Sequence, residues 1–206
     1  MGVPMKVLDP RSWRAFKIRW IRALSTMVGL GALVAASVGC YVGALRLTGN
    51  FHPVVDGQVY RSAQPSAQDL AYYVTKYGIR TIINLRGSNK GLSWYDAEIA
   101  QARALGVTHI DFGMSAYREL SQLDAERLIA VLEQAQKPVL IHCEGGADRS
   151  GLASALYVAA VAKLGEAAAE DQISIRYGHI SLPLSAAYAM DRTFEALEPW
   201  LGFPDS

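Results

Sequence analysis

Short apolar runs alternate with amphipathic stretches along most of the chain. Gln58-Val59-Tyr60, Ile79 to Leu85 (IRTIINL), Val107 to Phe112 and Pro138 to His142 (PVLIH) are compact and mostly apolar, as buried strands are. The stretches between them carry helix signals. Ser66 with Asp69 forms a capping pattern that opens a helix running to Tyr77, and Gly78 is placed to close it. A second helix spans Ser93 to Leu105 and ends at Gly106, and Ser121 with Asp124 opens a third towards Gln136. A fourth, from Ser150 to Leu164, is apolar nearly all round and is predicted to be buried. Two more are expected over 166–176 and 185–198. This alternation predicts an α/β layered fold: a central, mostly parallel sheet of about four or five strands flanked by helices. Thr48 to Pro53 reads as a linker leading into it.

The N-terminal part has a different pattern. Ala23 to Leu45 carries no charge. As a helix it would be about 34 Å long, enough for a bilayer core of about 30 Å. Lys6, Arg11, Arg14, Lys17, Arg19 and Arg22 precede it, with Trp13 and Trp20 suited to an interface. The expected organisation is a basic cytoplasmic segment (1–22), a transmembrane helix or signal anchor (23–45) and a soluble domain (46–206). By the positive-inside rule the soluble domain lies on the periplasmic or extracellular side. A cleaved signal peptide is the rival reading, although its apolar region is usually shorter. Ser37-Val38-Gly39-Cys40 also loosely matches a lipoprotein cleavage site, without the usual leucine three residues before the cysteine.

Charge narrows the partners. Beyond Arg22 the chain has 14 basic and 18 acidic residues, a mildly acidic balance that argues against nucleic acid. Cys40 lies in the apolar span, so Cys143 is the sole thiol of the soluble part and no disulfide framework is expected.

The candidate chemistry lies in one segment, His142-Cys143-Glu144-Gly145-Gly146-Ala147-Asp148-Arg149-Ser150-Gly151. It joins the C-terminal end of a predicted buried strand to the start of a predicted buried helix, where α/β sheets bind ligands. A helix start offers unpaired N–H groups and the positive end of a dipole. Gly145 and Gly146 let the backbone curl so that Glu144, Gly145, Gly146 and Ala147 form a nest for phosphate oxygens. A cysteine in that field is favoured as a nucleophilic thiolate. Arg149 offers a planar fork for two phosphoryl oxygens. Ser150 can donate a hydrogen bond to the sulfur, and His142 is expected to hold the loop. The His and Cys residues show no zinc-ligand spacing, and no metal or cofactor is expected.

HCEGGADRS resembles the Cys-x5-Arg loop of the protein tyrosine and dual-specificity phosphatase superfamily. VYRSAQPS followed by GIRTIINLRG is similar to the opening of its bacterial dual-specificity-like branch. The resemblance covers residues 51–200 and implies phosphomonoester hydrolysis through a phosphocysteine, with a phosphotyrosine protein or a membrane phospholipid as substrate. Rhodanese-like sulfur carriers and some arsenate reductases also use a cysteine loop, but His142 and Ser150 favour phosphatase. A phosphate-binding module without turnover is the alternative of another class.

The general acid is less plain. The family's usual acid is an Asp on a separate loop, and the corresponding stretch here, Gly113 to Leu120, has none. Asp148 is the leading candidate, because myotubularin-like lipid phosphatases and a bacterial group place an Asp at the same position of the loop. Asp111 and Glu119 remain open. The plain alternative for Asp148 is a carboxylate that offsets the helix dipole. Arg61 and Arg86, at apparent strand ends, either line the phosphate pocket or form ordinary surface pairs. His52, His109 and His179 are single and scattered, and Tyr72 and Tyr73 read as helix packing.

Overall fold

The computed structural model describes residues 10–204. Contacts divide them into two units, one ending at Gly43 and one beginning at Ala44. The first is a single helical stretch. It belongs to α1 (Pro10–Leu47), which runs well beyond the uncharged segment on its N-terminal side. Over Phe16–Leu47 α1 is long and apolar enough to cross a membrane. Its large apolar side chains, Leu24, Met27 and Val34 among them, are exposed.

The second unit is an α/β layered domain. Its elements are β1 (His52–Val55), β2 (Val59–Ser62), α2 (Ala67–Tyr77), β3 (Thr81–Asn84), α3 (Ser93–Ala104), β4 (Thr108–Asp111), α4 (Gln122–Gln134), β5 (Val139–His142), α5 (Asp148–Leu156), α6 (Glu166–Glu170) and α7 (Ala189–Leu201). The five strands lie in the order β1-β2-β5-β3-β4. All neighbours are parallel except β1 and β2.

The period-two alternation of the strands divides the core into two layers. Val59, Ile83, Val139 and Ile141 face one cluster, packed by α4, α5 and α7. Tyr60, Ile82 and Leu140 face the other, with Leu70 and Tyr73 of α2 and Ala102 of α3. The register sets Ser62, His142, Asn84 and Asp111 side by side in one row. Four strands thus each end on a polar residue at the same level. That row is the floor on which the connecting loops stand.

The caps expected at Ser66 and Ser121 are present, each hydroxyl accepting from the N–H three residues on. Several expected boundaries are corrected. The last two linker residues begin β1, an edge strand with Pro53 in it, where proline is tolerated because one side needs no ladder bond. The helix expected to reach Leu164 is α-helical only to Leu156 and then widens into a π turn over Tyr157–Val161. There the Tyr157 hydroxyl donates to Gln58 Oε1 at 2.9 Å. The helix over 166–176 shrinks to α6 and a separate 3-10 turn, Ile175–Tyr177. The helix over 185–198 becomes a 3-10 turn, Ala186–Tyr188, followed by α7.

Candidate active site

The segment between β5 and α5 is built so that its carbonyls face away from its centre. Glu144 O accepts from the Gln64 backbone N–H at 3.1 Å. Gly145 O accepts from Asn50 Nδ2 at 3.0 Å. Gly146 O and Ala147 O accept from Arg61 Nη2 at 3.0 and 2.9 Å. No backbone N–H of these four residues donates to any other group among the described residues. Fixing the carbonyls outward leaves the amides free at the positive end of α5, the arrangement of an anion nest.

Gly146 makes that curl possible. It has φ +69°, and a Cβ there would lie 2.5 Å from the Ala63 backbone nitrogen. Gly145 has no such constraint: a Cβ would meet only Arg46 Nε, at 3.8 Å.

Polar atoms gather at the same place. The described residues contain five buried side-chain N or O atoms without a partner, and four of them are in or under this segment: Arg61 Nε, His142 Nδ1, Arg149 Nε and Ser150 Oγ. Buried polar groups are nearly always satisfied, so a cluster of exceptions marks a place prepared for a ligand. Cys143 lies there, 2% exposed. The Arg149 guanidinium has one contact, a long bond from Nη1 to Met114 O at 3.5 Å.

A family comparison bears on this geometry. The tyrosine phosphatase family matches over residues 42–173, most of the chain. The chain belongs to the tyrosine phosphatase family. No curated protein matches the sequence. Similar solved structures include a variant of TpbA from P. aeruginosa in complex with pTyr. It is 21% identical, with 77% of this chain and 93% of that one covered and a TM-score of 0.58. The core catalytic domain of the PP-IP phosphatase SIW14 from S. cerevisiae is also 21% identical, covering 75% and 93%, with a TM-score of 0.52. A putative phosphatase from Shewanella putrefaciens CN-32 is 18% identical, covering 75% and 91%, with a TM-score of 0.54.

In this phosphatase the remaining sequence candidates take varied places. Arg61 does not line the pocket. It is fully buried beneath the loop, with Nη1 donating to Gln172 O at 2.7 Å and its guanidinium 4.1 Å from the Tyr177 ring. Burial pulls it down to about 10, which leaves it charged at neutral pH. Arg86 donates to Gln64 Oε1 at 2.9 Å and stacks on Trp94 at 3.6 Å. Ser150 makes no bond to sulfur here; its hydroxyl has no partner. Asp111 is occupied at both oxygens, accepting from Asn84 Nδ2 at 2.9 Å and from the Tyr95 hydroxyl at 2.5 Å. Glu119 pairs with Arg192 at 2.5 Å on the surface. Asp148 Oδ1 lies 2.7 Å from His179 Nδ1.

Glu98, Gln64, Asn50 and Asp191 were not singled out in the sequence. Glu98 is buried on α3, where one oxygen takes His142 Nε2 at 2.9 Å and His109 Nε2 at 2.6 Å, and the other takes Gln64 Nε2. Burial opposes its charge, but the bonds from His109, His142 and Gln64 outweigh that and hold it at about 2. Its sequence signal was its register: it shares a helical stripe with buried Tyr95 and Ala102, where an acid is out of place. The ligand atoms of Glu98, His109 and His142 lie within 4.8 Å of one another and could hold a divalent ion. Hydrogen bonds account for the same contacts without one.

Two outcomes follow. Gly146→Ala should abolish phosphate or vanadate binding, whereas Gly145→Ala should lower affinity by no more than about 10-fold; equal effects in a binding titration would contradict the loop geometry. Glu98 is depressed in the folded state, from 4.5 to about 2. Its stabilisation is therefore complete above pH 4.5 and is lost as pH falls towards 2. The stability advantage of the wild type over Glu98→Gln, on the order of 3 kcal/mol, should shrink across that window in urea titrations.

Proposed function

We propose that residues 46–206 form a cysteine-dependent phosphomonoesterase, with Cys143 as nucleophile, Arg149 as the phosphoryl clamp and Asp148 as the acid. The observation that carries this reading is the loop of four outward carbonyls with its free amides and unpaired Arg149 Nε and Ser150 Oγ, in the segment that holds buried Cys143. In the first step the Cys143 thiolate attacks phosphorus, the P–O ester bond breaks, and the proton of the Asp148 carboxyl goes to the leaving oxygen. In the second, water attacks phosphorus, the S–P bond breaks, and Asp148 takes the water proton. The amides from Glu144 to Ala147 and the Arg149 fork offset the charge of the equatorial oxygens throughout, the kind of contribution that is usually largest. Ser150, freed from other partners, donates to the departing sulfur.

The substrate proposed is a phosphotyrosine protein. TpbA, of the same fold, was solved with pTyr. A second reading, an anionic phospholipid headgroup, is favoured by Arg46, whose Nε lies 3.8 Å from the Cβ position of Gly145 and adds a cation beside the loop. The apolar exposed helix over Phe16–Leu47 supports a single-pass anchor, and the basic residues before Ala23 favour residues 1–22 as cytoplasmic with the catalytic domain outside.

Cys143→Ser should abolish turnover of an aryl phosphate, and Arg149→Lys should lower kcat by about 10³-fold. Vanadate should inhibit and EDTA should not. Turnover by the Cys143→Ser variant at the wild-type rate, read from phosphate release, would contradict the mechanism.

A further inference from the structure

His179 is buried between two carboxylates. Its Nδ1 lies 2.7 Å from Asp148 Oδ1 and its Nε2 lies 2.7 Å from Asp191 Oδ2. Its side chain is fully enclosed, while that of Asp148 is 33% exposed and that of Asp191 is 12% exposed. A neutral imidazole carries one N–H and cannot donate to both acids. The contacts therefore require a proton on each ring nitrogen or a proton on one carboxylate. Burial works against the charged ring, but the bonds to Asp148 and Asp191 prevail and raise the affinity of His179 for its second proton.

The setting says where that proton rests. Asp148 is in the first turn of α5 and Asp191 in the first turn of α7, and the positive end of a helix favours a carboxylate as the anion. Arg149 follows Asp148 directly, and the buried charge of Arg61 also feels it. With both carboxylates at helix starts, the two contacts are met by an N–H on each ring nitrogen of His179. His179 is where the proton can be stored.

We propose that His179, backed by Asp191, is a positioning residue that stores the proton which Asp148 delivers to the leaving oxygen. This rests on the reading of Asp148 as the acid. As the P–O bond breaks, Nδ1–H passes its proton to Asp148 Oδ1, and that same proton goes on from Oδ1 to the leaving oxygen. His179 is left neutral, with Nε2–H on Asp191. When water attacks and the S–P bond breaks, Asp148 takes the water proton and returns one to Nδ1. The relay ends each turnover as it began. The Asp148 side chain is 33% exposed, which leaves its carboxylate open to the ester.

The test compares two esters on the full-length protein, phenyl phosphate with a basic leaving group and dinitrophenyl phosphate, which needs no acid. kcat/KM reports the first chemical step and is scaled to the sites titrated by the dinitrophenolate burst, so misfolded protein does not count. His179→Gln should lower kcat/KM on phenyl phosphate by about 10²-fold and on dinitrophenyl phosphate by less than about 3-fold. Asp191→Asn should show the same asymmetry at about 10-fold. Equal losses on the two esters, or no loss on phenyl phosphate, in both variants would overturn the relay. Asp148→Asn separates the layers: asymmetry there without asymmetry in His179→Gln sinks the relay and spares the acid. Its absence from Asp148→Asn sinks the acid itself, and dinitrophenolate release by Cys143→Ser at the wild-type rate sinks the Cys143 reading.

Discussion

Four carbonyls turned outward are the constraint on which the rest of this molecule depends. A peptide unit that points its oxygen one way points the next residue's N–H the other, so fixing the carbonyls of Glu144, Gly145, Gly146 and Ala147 from outside aims the N–H groups of Gly145, Gly146, Ala147 and Asp148 inward. The fixing groups come from distant parts of the chain: Arg61 from β2, Asn50 from the stretch before β1, and the Gln64 backbone from the turn after β2. Asn50 also donates to Tyr177 O at 2.8 Å, which ties the 3-10 turn after α6 to the same loop. The buried guanidinium of Arg61 is a costly group to enclose, and its carbonyl partners and the Tyr177 face offset that cost.

The sheet beneath serves the same end. Because β2, β5, β3 and β4 run parallel, their C-terminal residues arrive in one row, and the catalytic loop rises from its centre at His142. His142 is braced from below by Glu98, which in turn reaches Gln64 on the turn that holds Glu144. One carboxylate therefore links the strand end to the strap of the loop. On the other side Asp148 and Asp191 clasp His179 between the starts of α5 and α7. Two separate polar clusters, each with a carboxylate and a histidine, thus flank the loop.

Much of this was legible in the residues. Apolar runs located the core strands, Ser66 and Ser121 located helix starts, and HCEGGADRS located the loop, because each signal is local: a period, a cap or a spacing. What stayed hidden depends on pairs far apart in sequence. Arg61 meets Gln172 across 111 positions, Glu98 meets His142 across 44, and His179 meets Asp148 across 31. No local pattern announces such a partner, although a charged residue on a buried stripe, as Glu98 is, signals that one must exist. The start of β1 was read as linker, since a four-residue strand holding Pro53 gives little sequence signal. Beyond α5 the helix expected over 166–176 is broken into α6 and a 3-10 turn, while the one expected over 185–198 largely stands as α7 after a 3-10 turn.

The central claim is that this loop makes Cys143 a phosphoryl acceptor. Rapid quenching of the full-length protein during turnover of an aryl phosphate, followed by peptide mass spectrometry, tests it most directly. The account predicts a single acid-trapped phosphate on the sulfur of Cys143, formed as fast as the aryl alcohol appears. Turnover with no phosphorylated enzyme, or with the phosphate on any other residue, would contradict it.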